Sequence, residues 1–73
     1  MDKTPHYLMQ FFSYEHLPEH LQVVGRRFWD LARALDEFLP NNVEKTTALR
    51  KLLESKDCAV RAVLFKEDLS HDG

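Results

Sequence analysis

The chain has 73 residues, with 10 Lys plus Arg, 12 Asp plus Glu, four His, one Cys and a formal net charge of −2. This length holds one domain at most, a lone cysteine closes no internal disulfide, and the slightly acidic balance argues against coating a DNA or RNA polymer. Chains below about 70–80 residues usually need disulfides, a metal or oligomerisation to be stable.

The chain reads as an N-terminal aromatic segment (1–13), a helical hairpin domain (14–66) and a flexible acidic tail (67–73). In the first segment Tyr7, Leu8, Met9, Phe11 and Phe12 crowd together after Pro5, which disfavours helix just before it. The run is too short for its period to choose between a strand-like arm and an irregular segment packed on a partner. MDKTPHYLMQFF lacks the basic start and long apolar stretch of a signal peptide. No apolar run is long enough for a membrane span. A cytoplasmic protein with a reduced thiol is expected.

Pro18 suits the first turn of a helix, where a missing N–H costs nothing. A helix is predicted from Pro18 to Leu39. Leu21, Val24, Phe28, Leu31, Leu35 and Phe38 recur at gaps of three and four, the seam of a helix packed on other helices. Leu17, Ala32 and Leu39 widen the stripe, and Gly25 permits a close helix crossing. Pro40-Asn41-Asn42 ends the helix. With so short a link, the next helix must fold back antiparallel.

The second helix is predicted over Val43–Lys66, with Asn42 as its N-cap. Leu49, Leu52, Lys56, Ala59 and Val63 keep the three/four spacing, and Leu53, Val60 and Leu64 form a second apolar line. Lys56 on the seam is expected to snorkel or pair. Arg50, Glu54, Asp57 and Arg61 make an alternating charge ladder. Two helices bury one seam between them. The second apolar line, Trp29 and the aromatic lead then need cover, and large exposed apolar patches mark association sites. A homo-oligomer of helical hairpins with the aromatic lead at a subunit junction is expected. The alternative is a monomer in which the lead folds back over the hairpin.

Candidate chemistry is sparse. His16 and His20 are four apart but flank Pro18 and lack a third metal ligand, so they read as surface histidines. Cys58, near the core line, reads as a small buried hydrophobe without a partner base. The only glycines are Gly25 and Gly73, so no phosphate loop exists. No catalytic constellation emerges, and neither an enzyme nor a resident cofactor or metal is expected. Charge says more. The second helix is net basic through Lys45, Arg50, Lys51, Lys56, Arg61 and Lys66, and Glu67, Asp68 and Asp72 make the tail acidic. Arg26-Arg27 precede Phe28-Trp29. An arginine beside an aromatic suits a nucleobase and its phosphate, the ring stacking and the guanidinium forking onto oxygens. The same pair of residue types also dominates protein interfaces.

YEHLPEHLQVVGRRFWDLA (14–32) and ALRKLLESKDCAVRA (48–62) resemble the two helices of the helical-hairpin family of phage anti-CBASS and anti-Thoeris proteins. The resemblance covers about residues 11–66. It is best in the LRKLLE start and AVRA end of the second stretch, with Arg61 at the family's arginine position. It implies an all-α antiparallel hairpin assembling as a hexamer, a trimer of dimers, with pockets between protomers. It also implies a sponge that holds cyclic oligonucleotide or cyclic ADP-ribose signals without cleaving them. Tyr14 matches the family's stacking aromatic before the first long helix. Where the family has a basic clamp, this chain has Trp29, with Arg27 two residues earlier and Arg26 beside it. A second pocket for cyclic trinucleotides falls on Lys45, Thr46 and Arg50. The expected ligand-binding set is therefore Tyr14, Arg26, Arg27, Trp29, Lys45, Thr46 and Arg50. The rival expectation is a small oligomeric structural or protein-interaction module with no nucleotide ligand.

Overall fold

In the computed structural model, which describes residues 5–65, a short 3-10 helix (Tyr7–Phe12) precedes two long helices, α1 (Glu19–Phe38) and α2 (Val43–Leu64). The described residues contain no strand. The long helices form the antiparallel hairpin, and the 3-10 helix lies across both. Neither long helix is apolar enough to cross a membrane.

Local chemistry sets the helix ends. The Asn42 side chain accepts the Lys45 backbone N–H at 2.9 Å, the predicted N-cap of α2. Pro18 caps α1 rather than opening its first turn, and its carbonyl accepts from the N–H of Leu21 and of Gln22. Gln22 Nε2 donates to the Leu17 carbonyl at 2.9 Å, tying down the turn that leads in. At the far end of α2 the expected boundary at Lys66, like the acidic tail 67–73, lies outside the described residues.

The core differs from the expected seam. Leu8, Met9 and Phe12 from the 3-10 helix join Ala32 of α1 and Leu49 of α2 as the buried cluster. Phe28, Trp29, Leu35, Leu52 and Leu53 pack against it. The aromatic lead is thus neither strand-like nor irregular. It is a 3-10 helix folded over its own hairpin, and it covers the second apolar line at Leu53. Of its apolar side chains only Tyr7 and Phe11 face outward. Burying each of Leu8, Met9 and Phe12 contributes roughly 1.5–3 kcal/mol, which explains why the lead docks.

On α1 the inward face runs through Leu21, Gly25, Phe28, Ala32 and Leu35. Leu31 is 48% exposed and Phe38 82%, so these two positions of the expected seam point away while Leu35 still packs on the core. The Leu21, Phe28, Leu35 line stays inward and the Val24, Leu31, Phe38 line, about 60° around the helix, does not, because the small Gly25 and Ala32 on the other flank of the inward line are the positions that face the packed elements. Gly25 does permit a close approach, but not of a helix. A Cβ there would stand 2.7 Å from Tyr14 Cβ and 3.0 Å from Leu17 Cδ1, so the turn at 14–17 presses on α1. Cys58, read as near the core, is exposed. It lies nine residues beyond buried Leu49, half a rotation around α2.

Two lysines on the inner face of α2 strap the 3-10 helix at its two ends. Lys56 is only 6% exposed. Its ammonium donates to the carbonyls of Phe11 (2.8 Å) and Ser13 (3.1 Å), at the end of the 3-10 helix. Lys45 is 5% exposed and donates to Asp36 Oδ1 (2.9 Å), the Asp36 carbonyl (2.8 Å) and Asn41 Oδ1 (2.9 Å). All three ammonium protons are used. The Asp36 carbonyl is one of the orphan acceptors in the last turn of α1, a turn with no basic residue of its own. Asp36 then accepts the His6 backbone N–H at 3.2 Å through Oδ2, anchoring the start of the 3-10 helix.

Candidate ligand-binding site

The site is built on one face of α1. Trp29 points toward the 3-10 helix and packs half-buried on the core, because the inward arc of α1 ends there. Tyr14, carried on the turn that Gly25 admits, sets its ring 6.5 Å from the Trp29 ring at 55°. Such tilted pairs are a favoured aromatic geometry. Trp29 and Arg33 form one wall of a groove of about 940 Å³. Met9 and Gln10 of the 3-10 helix line it too, with Asp36, Glu37 and Lys45. That volume lies within the range of small-molecule sites, about 300–1,000 Å³.

The expected residues are placed unequally around this groove. Trp29 and Lys45 line it, and Tyr14 stands beside Trp29, outside the lining. Arg26, three residues before Trp29, lies on the same side of α1 and holds Asp30 at 4.0 Å. Arg27, two residues before, is exposed and turned about 160° from Trp29, onto the far side of the helix. Arg33, outside the expected set, lines the groove beside Trp29. Its spacing of four from Trp29 was the available signal, since residues four apart share a face. Arg33 Nε lies 3.6 Å from Glu37 Oε2, in an exposed pair. Such a pair is weak in water, so a phosphate oxygen can replace the carboxylate at small cost.

The second expected set, Lys45, Thr46 and Arg50, lies on the first turns of α2 beside the start of the 3-10 helix. Its polar atoms are already engaged. The Lys45 ammonium is buried in the Asp36–Asn41 cluster. Thr46 Oγ1 meets His6 Nε2 at 3.0 Å. Because His6 Nδ1 accepts the Leu8 N–H (3.1 Å), its hydrogen bonds assign the ring proton to Nε2, which donates to Thr46. Arg50 alone of the three is exposed, and its Nη2 donates to the Tyr7 hydroxyl at 3.4 Å. Tyr7 in turn stacks on His6, with ring centroids 4.7 Å apart.

Burial acts on the two ionisable groups beneath the 3-10 helix in different ways. Burial pushes the Asp36 carboxyl up, but the Lys45 ammonium and the His6 N–H outweigh it and hold the group below its ordinary value. Burial lowers Lys56, and the neighbouring Asp57 charge only partly offsets this. Among the described residues no three His, Cys, Asp or Glu side chains group as a metal site would need. Comparison with known protein families, with curated proteins and with solved structures finds no match to this chain.

Proposed function

We propose that the protein is an oligomeric binding protein that sequesters a cyclic oligonucleotide signal without cleaving it. This is the activity of the phage counter-defence sponges that its two helices resemble. The observation that carries the reading is Trp29 in the wall of a groove of about 940 Å³, with Arg33 one turn further along the same helix face. The indole offers a base a stacking surface, Tyr14 supports it from the side, and the guanidinium supplies a fork for phosphate oxygens. Sequestration needs affinity and copy number only, and cyclic dinucleotides, cyclic trinucleotides and cyclic ADP-ribose isomers are the candidate ligands.

The test is thermal unfolding with a panel of these ligands, followed by mass spectrometry of the ligand released on heating. One or more ligands raise the melting temperature and are recovered intact. Trp29→Ala and Arg33→Ala lose the shift, whereas Arg27→Ala, on the far side of α1, keeps it. No shift across the panel overturns the reading, and recovery of cleaved ligand replaces it with an enzyme.

A second reading has its own observation. Val23, Leu31, Phe38 and Val43 are large apolar side chains left at the surface. A protein-interaction module would use them, would give no nucleotide response and would retain one dominant protein in a pull-down.

A further inference from the structure

α1 carries a second stripe, apolar except for Arg27, which no described element covers beyond the half-buried Val24. Val24, Arg27, Leu31, Ala34 and Phe38 follow one another at gaps of three, four, three and four, the spacing of a helix–helix seam. Val23 and Leu31 are about half exposed, and Phe38 is the most exposed large apolar side chain described. The core lies about a third of a rotation away, so one helix presents two apolar faces.

Charge names the occupant. Along one flank of this stripe run Arg26, Asp30, Arg33 and Glu37, spaced four, three and four, all of them exposed. The order is basic, acidic, basic, acidic. Reversed end for end, it becomes acidic, basic, acidic, basic. A second copy of the row laid antiparallel therefore sets opposite charges against each other at every position, whereas a parallel two-fold pair would turn each row toward the partner's other flank and leave it without this match. An isologous two-fold contact requires this kind of self-complementary patch.

We infer that the outer face of α1 is an interface between two copies of this chain, packed antiparallel about a two-fold axis near Leu31. Arg26 faces the partner's Glu37 and Asp30 faces the partner's Arg33, while Leu31, Ala34 and Phe38 fill the seam. Arg33 and Glu37 belong both to this row and to the rim of the Trp29 groove, so the contact brings the partner's Arg26 to that rim. The inference deepens the oligomeric part of the proposed function and says where the copies meet. It stands whether or not a nucleotide is the ligand.

The experiment is sedimentation analysis of the full chain and of two charge variants, with helicity followed by circular dichroism. Asp30→Lys with Glu37→Lys makes the row all basic, and Arg26→Glu with Arg33→Glu makes it all acidic. The unaltered chain sediments as a dimer or a multiple of one. Each variant alone falls to half that mass or less, and an equimolar mixture of the two regains it. An unaltered chain of 8.6 kDa at micromolar concentration overturns the inference. So does either variant keeping the full mass, or a mixture that stays dissociated. If a variant loses helicity, Phe38→Glu decides: its side chain is in contact with solvent, and retention of the full mass overturns the interface. The readout is mass, so its failure is distinct from a missing thermal response to nucleotides.

Discussion

The two ends of the 3-10 helix are held by the same residue type in different electrostatic settings. At its start, Lys45 lies against a carboxylate, a helix-end carbonyl and an asparagine oxygen. At its end, Lys56 has two backbone carbonyls, and among the described residues no carboxylate lies within 4.0 Å of its ammonium. The first lysine is neutralised where it is buried. The second has peptide carbonyls as its direct partners, and burial lowers its proton affinity by more than the nearby Asp57 charge restores. A buried charge is tolerable with either partner, but the cost of removing that partner differs.

The largest effect separating the two ends is expected from Asp36→Ala. It leaves the Lys45 ammonium buried without its counter-charge and removes the acceptor for the His6 N–H. The cost is about 3 kcal/mol, the lower end for breaking a buried pair. Urea unfolding followed by circular dichroism reads it. Lys56→Met is milder. It deletes a charge rather than stranding one, and costs about 1–2 kcal/mol for the two carbonyls left without a donor. Equal losses for the two variants would break the comparison.

Gly25→Ala sharpens the picture on the Lys56 side. The backbone held at Ser13 runs directly into Tyr14, which sits over Gly25. Alanine is worth about 1 kcal/mol to the helix. Overpacking against Tyr14 Cβ costs about 1–3 kcal/mol, so a net loss is expected. Displacement of Tyr14 also changes the Trp29 fluorescence. An increase in stability would show that the 14–17 turn moves aside freely.

The smallest effects are in pH. The Asp36 carboxyl, held below its ordinary 3.8, gives stability that is fully present above that value and is lost as pH falls through the folded pKa. For Lys56 the folded value lies below 10.5, so the unfolded chain keeps its proton longer and stability rises with pH between the two. Urea midpoints across pH detect both slopes. Asp36→Asn removes only the acid one, and Lys56→Met only the alkaline one.

Much of the hairpin was legible because its signals are local. Asn42 caps α2 through a side-chain bond three residues away, Pro40 ends α1, and three/four spacing marks both helices. The site was less legible. The sequence places Tyr14 and Trp29 fifteen residues apart, and only the fold sets their rings side by side. Arg27 is the neighbour of Trp29 along the chain, whereas Arg33 shares its helix face. Lys45 was counted as a free cation because its net charge is visible in the sequence and its partner Asp36 is not.

By itself, then, the sequence determined that there are two antiparallel helices, where they begin and turn, and that one apolar seam is too little for all the apolar side chains. Those properties follow from caps, proline and periodicity within a few residues. Tertiary structure alone decided which arc of α1 faces inward, that the aromatic lead becomes a 3-10 lid, and that two lysines are its straps. Each of these depends on contacts beyond the local helix pattern, the longest of them 30 or more positions apart, as in His6 with Asp36 or Phe11 with Lys56, where packing and desolvation select the partner.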